Sequence, residues 1–207
     1  MRQLERDGVA LCYEEAGEGE PPDLLVHGWC CDHTYFAPQF EHFAERGHRV
    51  VAVDLRGHGK SDKPHQRYAM QDFADDLAWV CQRLELAKPV VIGHSMGGIV
   101  AFDLAARYPH LPSAVVMLDA AVFLPSAARA AIPGLLEQLR GPDYQNVLRE
   151  YASKSLFIPT DDLSSARSAY YKACPPRLNT WWCRHSRACA TTTPQKRPEG
   201  LRYRAST

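Results

Sequence analysis

The chain of 207 residues lacks several features that would restrict its function at once. No run approaches the roughly 18 apolar residues of a membrane span, and no apolar stretch follows the charged start Met1–Asp7 to form a signal peptide. Basic and acidic residues number 24 each, so the net charge is zero and gives no indication of nucleic acid binding. We therefore predict a cytoplasmic protein that binds neither membrane nor nucleic acid.

Sequence patterns typical of cofactor and metal sites are also missing. The seven cysteines are odd in number and irregularly spaced, which favours reduced thiols over a disulfide framework. Cys183, His185 and Cys189 have no regular spacing and no evident fourth ligand, so we expect no zinc site there. The segment Gly59–Ser61 resembles the end of a phosphate-binding loop, but Asp54 stands where that loop requires a glycine. We predict that the protein uses no cofactor and no metal.

Strand-like and helix-like segments alternate through the first two thirds of the chain. Apolar residues make up 45% of the sequence, enough for the core of one domain. Alternation of strands with amphipathic helices predicts an α/β fold with a mostly parallel sheet and helices on both faces. The predicted strands are Asp23–Val26, Arg49–Val53, Val90–Ile92 and Ala114–Leu118, and the helices carry Phe36, Phe40 and Phe43, then Phe73, Leu77, Val80 and Leu84 on one face.

The most informative segment is Gly93-His94-Ser95-Met96-Gly97, which follows a predicted strand and opens a predicted helix. A Gly-x-Ser-x-Gly pattern in this context predicts a sharp turn that exposes a serine hydroxyl, the nucleophile elbow. Gly93 and Gly97 are expected because a Cβ at either position would crowd the turn. The N-terminus of the following helix directs free N–H groups toward the site.

Three motifs in order give this chain its resemblance to a known family. They are His27-Gly28-Trp29, Asp54–Ser61 and Gly93–Gly98, and the chain resembles the α/β-hydrolases over roughly residues 9 to 175. It is most similar to the group of small bacterial esterases, enol-lactonases and cofactor-free haloperoxidases. The resemblance implies an α/β-hydrolase sheet and a serine hydrolase acting on a small ester or lactone.

The composition changes abruptly after Cys174, where a member of that family would continue its sheet. Residues 176–207 contain seven basic residues and one acidic residue, with no apolar periodicity. We divide the chain into a hydrolase core (1–124), a partial helical lid (125–175) and an aberrant, disordered tail (176–207). Our hypothesis is a truncated or frameshifted hydrolase that lacks the last strands of its sheet.

The resemblance also implies roles for individual residues. Ser95 is the nucleophile, and the backbone N–H groups of Trp29 and Met96 form the oxyanion hole. Asp119, at the end of a strand, is the only acid that could complete the triad, and the alternative that we favour for it is a capping or loop aspartate. His185 is the candidate base because no other histidine follows Asp119 in the chain.

Other polar residues of the motifs are expected to be structural. These are His27, Asp54 and His58, while the side chain of His94 is expected to point away from the pocket. Two interpretations of function remain open. The chain is a serine hydrolase of the carboxylic ester type, impaired by its altered C-terminus, or it is a hydrolase remnant or small-molecule binding module without a catalytic base. The oligomeric state is not predicted.

Overall fold

A computed structural model describes residues 1–155 of the protein. It contains one six-stranded sheet with the strand order β1-β2-β4-β3-β5-β6. The strands are β1 (Arg2–Arg6), β2 (Val9–Ala16), β3 (Gly19–Val26), β4 (His48–Val53), β5 (Val90–His94) and β6 (Ala114–Leu118). The helices are α1 (Ala37–Glu45), α2 (Met70–Arg83), α3 (Met96–Arg107), α4 (Ser126–Arg140) and α5 (Tyr144–Ser155), with a 3-10 helix at His33–Phe36.

The sheet is mostly parallel, as the sequence predicts. Strand β3 pairs in parallel with β4 and β5, and β5 pairs in parallel with β6. The antiparallel strands β1 and β2 were not predicted individually. Their turn is Asp7-Gly8, with φ values of 52° and 75°. An Asp-Gly pair with positive φ is a strong hairpin signal, so the sequence did contain the indication.

Helices cover both faces of the central strands, because successive strand residues point to opposite faces. On one face, Leu25, Val50, Ala52 and Ile92 pack with Phe36 and the phenylalanines of α1. On the other, alternate residues of β3, β4 and β5 pack with Phe73, Leu77 and Val80 of α2 and with α3. This arrangement buries both surfaces of the strands that carry the motif loops at their carboxyl ends.

Strand β6 forms one edge of the sheet within the described residues, and it is incompletely covered. Its exposed side chains include Val116 and Leu118, each 39% exposed, and Phe123 beyond it is 79% exposed. Any strand beyond β6 would come from residues 156–207, which lie outside the described part of the chain, so the expectation that the sheet lacks its last strands stays a prediction.

The predicted lid region begins with two helices. Leu136 and Leu139 of α4 and Leu148 of α5 are buried and belong to the main core cluster. The division into core, lid and tail stays a prediction, since residues 156–175 and the tail 176–207 lie outside the described part of the chain. Among the helices that the structure describes, none has the combination of length and apolarity that crossing a membrane requires.

Candidate active site

Ser95 occupies a strained turn between β5 and α3. Its backbone angles are φ 53° and ψ −118°, outside the regions that an L-residue normally adopts. Strain of this kind persists only where the surrounding structure enforces it, and it is concentrated at functional sites. The elbow (residues 93–97) therefore has the geometry that the Gly-x-Ser-x-Gly pattern predicts.

The glycines of the elbow allow backbone segments to approach each other closely. A Cβ on Gly97 would overlap the carbonyl oxygens of Val26 and His27, at the end of β3. A Cβ on Gly93 would overlap the carbonyl group of Gly97. A Cβ at Gly93 or Gly97 would therefore crowd the turn, as the Gly-x-Ser-x-Gly pattern predicts. The close contacts hold α3 directly against the ends of β3 and β5.

Backbone hydrogen bonds hold both sides of Ser95. Its N–H donates to the Leu118 carbonyl at the end of β6 (2.9 Å). Its carbonyl accepts from the N–H groups of Gly98 (3.0 Å) and Ile99 (3.3 Å). Met96 is the first residue of α3, where an N–H has no acceptor within the helix. The positive end of the α3 dipole therefore lies at Ser95.

A second backbone segment, the Gly28 loop (residues 28–31), lies against the elbow. A Cβ built on Gly28 would be 3.3 Å from Ser95 Cβ and 3.2 Å from His94 Nδ1. The absence of a side chain on Gly28 therefore allows the backbone leading to Trp29 to pass beside Ser95. The structure thus brings the residue before Trp29 against Ser95, while Met96 directly follows Ser95 in the chain; the oxyanion hole itself stays a prediction.

The ring of His27 links this loop to the end of β4. His27 Nδ1 lies 2.8 Å from the Gly28 carbonyl oxygen, and the Leu55 N–H donates to His27 Nε2 (3.1 Å). The side chain is fully buried, and burial lowers its pKa. Because Nε2 accepts a hydrogen bond from the Leu55 amide, the neutral ring carries its own proton on Nδ1. His27 is therefore a structural residue and not a base for Ser95.

Asp54, at the end of β4, is the centre of a polar cluster with His33 and Lys60 that we call the Asp54 corner. Its carboxylate accepts hydrogen bonds from His33 N–H (2.7 Å), His33 Nδ1 (2.8 Å) and Lys60 N–H (2.7 Å). Burial acts to raise the Asp54 pKa, but these hydrogen bonds outweigh it and the pKa is lowered. The hydrogen bond to Asp54 raises the His33 pKa. Asp54 therefore uses three of its roughly four acceptor sites on groups of the protein, an arrangement that stabilises the fold.

His33 was not identified from the sequence as a partner of Asp54. Its ring also lies 3.6 Å from Glu14 Oε1 on β2, so it connects two parts of the sheet. His58, close by, is buried, with Nδ1 facing the Arg56 carbonyl (3.1 Å) and its ring centroid 5.2 Å from that of His27. Burial lowers the His58 pKa to about 3. Both residues are structural within this corner.

Asp119 differs from Asp54 in its surroundings. It follows Leu118, whose carbonyl binds Ser95 N–H, so its backbone lies beside the elbow. Its φ is 47°, an unusual value for a residue other than glycine, and its side chain is exposed. The next residue, Ala120, packs so closely on Gly98 that a Cβ there would overlap it. The candidate acid is thus near Ser95 and available to solvent.

The histidines near Ser95 include His94, whose Nδ1 would lie 3.2 Å from a Cβ built on Gly28. The expectation that its side chain points away from the pocket stays a prediction. The missing side chain of Gly28 provides the space for its ring. The candidate base, His185, lies outside the described residues. Within residues 1–155, both ring nitrogens of His27 and His33 and the Nδ1 of His58 contact groups other than Ser95, and the buried Nε2 of His58 has no hydrogen-bond partner there.

The cysteines agree only in part with the prediction of reduced thiols. Cys12, Cys31 and Cys81 are buried and free. Cys30 is instead disulfide-bonded, which corrects the expectation for this residue. In the part of the chain that the structure describes, no cluster of three or more histidine, cysteine or acidic side chains could hold a metal ion.

Comparison with known proteins places the chain among hydrolases. The profile of the family described as alpha/beta hydrolase fold matches residues 21–192. An AB hydrolase superfamily protein, YisY, of Bacillus subtilis is 30% identical over 176 residues, which cover 84% of this chain and 62% of that protein. A bifunctional esterase/perhydrolase of Acinetobacter calcoaceticus is 32% identical over 181 residues, covering 86% of this chain and 65% of that protein.

Solved structures show the same fold. An esterase from Thermogutta terrifontis has a TM-score of 0.74 and 26% identity, with 88% of this chain and 71% of that chain covered. An enol-lactonase from Burkholderia xenovorans has a TM-score of 0.75 at 22% identity, covering 91% of this chain and 74% of that chain, and supports the fold alone. The chain spans less than two thirds of the length of the curated relatives named above. With its fold, its elbow and the family match over most of its length, the chain belongs to the α/β-hydrolase family.

Proposed function

We propose that the protein is a serine hydrolase that cleaves a small ester or lactone in the cytoplasm. The observation that carries this proposal is the strained backbone of Ser95 at the start of α3, with the Gly28 loop against it. A half-buried serine beside backbone N–H groups is an arrangement that acyl transfer can use.

The proposed chemistry has two steps. Ser95 Oγ attacks the acyl carbonyl carbon while a base accepts its proton, and the alcohol leaves with that proton to give an acyl-enzyme. Water then attacks the acyl-enzyme in the same way and releases the acid. The N–H groups of Trp29 and Met96 stabilise the oxyanion of each step, and one such donor contributes about 3 kcal/mol.

The acid and base of this mechanism are proposed from their positions in the chain and in the fold. Asp119 is the candidate acid because the Leu118–Ser95 hydrogen bond places its backbone beside the elbow. His185 is the candidate base by its order in the chain. The esterase/perhydrolase named above favours an ester as the substrate class. No nucleic acid and no membrane partner is proposed.

A second function is favoured by one observation. Among the hydrogen bonds of residues 1–155, none joins an imidazole to Ser95 Oγ, and a general base must reach the nucleophile directly or through one water. The alternative is therefore a hydrolase remnant that binds a small molecule without turning it over.

Labelling with a fluorophosphonate probe separates the two functions. The purified full chain is incubated with the probe, and covalent addition is followed by intact mass. Ser95→Ala is the test variant and Ser113→Ala, which removes an exposed serine before β6, is the control. We expect labelling of the wild type and of Ser113→Ala, and none of Ser95→Ala. A folded wild type that stays unlabelled would support the remnant instead.

A further inference from the structure

We propose that His27 and Cys31 are positioning residues that set the direction of the Trp29 N–H. Together they would hold the Gly28–Trp29 peptide so that this N–H faces the oxyanion formed at Ser95. The inference rests on the proposed hydrolase function. It adds to that function two side chains that never touch the substrate and act only through the backbone of the Gly28 loop.

The carbonyl oxygen of Gly28 is held by two donors. His27 Nδ1, which carries the ring proton, lies 2.8 Å from it, and the Cys31 N–H donates to it at 3.2 Å. The His27 ring is buried, so water does not compete for the first of these bonds. Rotating the peptide would leave two buried donors without an acceptor, which costs about 1–3 kcal/mol for each group.

Fixing a carbonyl also fixes the amide of the same peptide. The Gly28–Trp29 bond is trans, and in a planar trans peptide the C=O and the N–H point in opposite directions. With the Gly28 oxygen held on the His27 side, the Trp29 N–H is directed to the other side. The close approach of Gly28 to Ser95 Cβ, at 3.3 Å from a Cβ on Gly28, puts this peptide within reach of the elbow.

The thiol of Cys31 adds a second constraint on the same residue. Cys31 Sγ lies 3.4 Å from the Trp29 carbonyl oxygen and donates to it. Burial raises the Cys31 pKa to about 12, so the thiol keeps its proton and remains a donor at neutral pH. Both peptide groups that flank the Trp29 Cα are therefore held, one by His27 and one by Cys31.

The second ring nitrogen of His27 has a different task. Nε2 accepts from the Leu55 N–H (3.1 Å), which joins the loop to the Asp54 corner. A His27 that served only the fold would depend on both hydrogen bonds equally. A His27 that positions Trp29 would depend on Nδ1 for catalysis and on Nε2 for stability. This difference can be tested, because the two nitrogens can be replaced one at a time.

Two substitutions of similar polarity make the separation. The amide nitrogen of His27→Asn falls near the position of Nδ1 and retains a donor for the Gly28 carbonyl. The amide oxygen of His27→Gln reaches the position of Nε2 and retains an acceptor for the Leu55 N–H. We expect the labelling rate of Ser95 to stay within about threefold of wild type in His27→Asn. In His27→Gln we expect it to fall about a hundredfold, the effect of losing one oxyanion donor.

Stability and substrate binding provide the controls. Urea unfolding should show both His27 variants destabilised to a similar degree, since each lacks one buried hydrogen bond. With an ester substrate, the loss in His27→Gln should appear in kcat and not in KM. Equal labelling rates in the two variants would overturn the proposal.

Cys31 supplies an independent test if a His27 variant does not fold. Cys31→Ser keeps a donor for the Trp29 carbonyl, whereas Cys31→Ala removes it. We expect Cys31→Ala to label about three- to tenfold more slowly, the kinetic equivalent of one neutral hydrogen bond, and Cys31→Ser to recover most of the wild-type rate. A Cys31→Ala rate equal to wild type would exclude the thiol from the mechanism.

Failure of the hydrolase proposal would be recognised separately. A folded wild type that no probe labels would overturn the proposed function but not the positioning of Trp29 by His27 and Cys31. That positioning would then be tested by nitrogen-15 NMR of the His27 ring and of the Trp29 amide. We expect a neutral ring protonated at Nδ1, and a Trp29 amide signal that shifts in His27→Gln and stays in place in His27→Asn. A ring protonated at Nε2 would overturn the proposal that His27 positions Trp29.

Discussion

Two strands of the same sheet, β4 and β6, are each followed by an aspartate, and the two residues have opposite surroundings. Asp54 is fully buried and accepts three hydrogen bonds from His33 and Lys60. Asp119 is exposed, has a φ of 47°, and lies next to the residue whose carbonyl binds Ser95 N–H. Equivalent positions at the carboxyl edge of a sheet therefore do not imply equivalent roles.

The difference shows how burial and hydrogen-bond saturation separate structure from chemistry. A carboxylate whose lone pairs are used by buried donors cannot orient a catalytic base without breaking the fold. An exposed carboxylate beside a strained serine has free acceptor capacity. Its electrostatic interaction with a protonated base is weaker, because solvent raises the local dielectric constant. The Asp54 corner thus stabilises the sheet, whereas the exposed carboxylate of Asp119 has acceptor capacity left to bind and orient a catalytic base.

The largest expected effect comes from replacing both aspartates in the same way. Asp54→Asn should lower the free energy of unfolding by about 3–5 kcal/mol, because it removes one partner of a buried ion pair. Asp119→Asn should change it by less than about 0.5 kcal/mol, as expected for an exposed residue. Urea unfolding followed by circular dichroism measures both. Similar losses of unfolding free energy in the two variants would remove the distinction between Asp54 and Asp119.

Reactivity should show the reverse order. Asp119→Asn should reduce the rate of Ser95 labelling about a hundredfold if Asp119 orients the base. This is less than the ten-thousandfold loss for a buried triad acid, because solvent screens an exposed carboxylate. The variant has to be compared with wild type at equal folded fraction. A rate unchanged in Asp119→Asn would identify Asp119 as a loop residue and leave the acid to be found elsewhere.

The pH dependence of stability sharpens the description of the Asp54 corner. The raised pKa of His33 means that its stabilisation is fully present below its unfolded pKa of 6.5 and is lost as pH rises through the folded value. His33→Gln should therefore reduce stability by about 1.5–3 kcal/mol at pH 5.5, the contribution of a charged hydrogen bond. At pH 9 the difference from wild type should shrink.

The same experiment has an internal contrast in His58. Its pKa is lowered to about 3 by burial, so the unfolded chain takes up a proton below pH 6.5 that the folded one refuses. Wild-type stability should therefore also fall as pH drops from 6.5 toward 3. Unfolding midpoints at pH 4, 5.5, 7 and 9 separate the two histidines. A His33→Gln deficit that grows with pH would contradict the assignment of the ion pair.

Much of the fold and of the elbow could be predicted because the signals are local. Ser95 lies between glycines that follow a β-branched run, and five consecutive residues determine its turn. The pairing of Asp54 with His33 could not be predicted, since the two are 21 residues apart and meet only after β4 pairs with β3. The same holds for His27 and Leu55, which are 28 residues apart. Contacts of this kind depend on tertiary structure and leave no periodic pattern.

The smallest expected effect on stability concerns β6, which is an edge of the sheet among residues 1–155. The opposite edge, β1, carries Arg2, Glu5 and Arg6, whereas the five residues of β6 are all uncharged. Charged side chains on an edge strand prevent pairing with other molecules, so β6 is the edge that should promote association.

Val116→Lys tests this difference between the two edges. Val116 is 39% exposed, so the substitution should change the free energy of unfolding by no more than about 0.5 kcal/mol. It should nevertheless raise the concentration at which the protein begins to associate, as measured by light scattering across a dilution series. Leu4→Lys on β1 does not serve as a control, because Leu4 packs against the core, so Gln3→Lys on the same strand is used instead. We expect Gln3→Lys to leave association unchanged, since that edge already carries charge. If both variants shift association equally, net charge and not the β6 edge controls it.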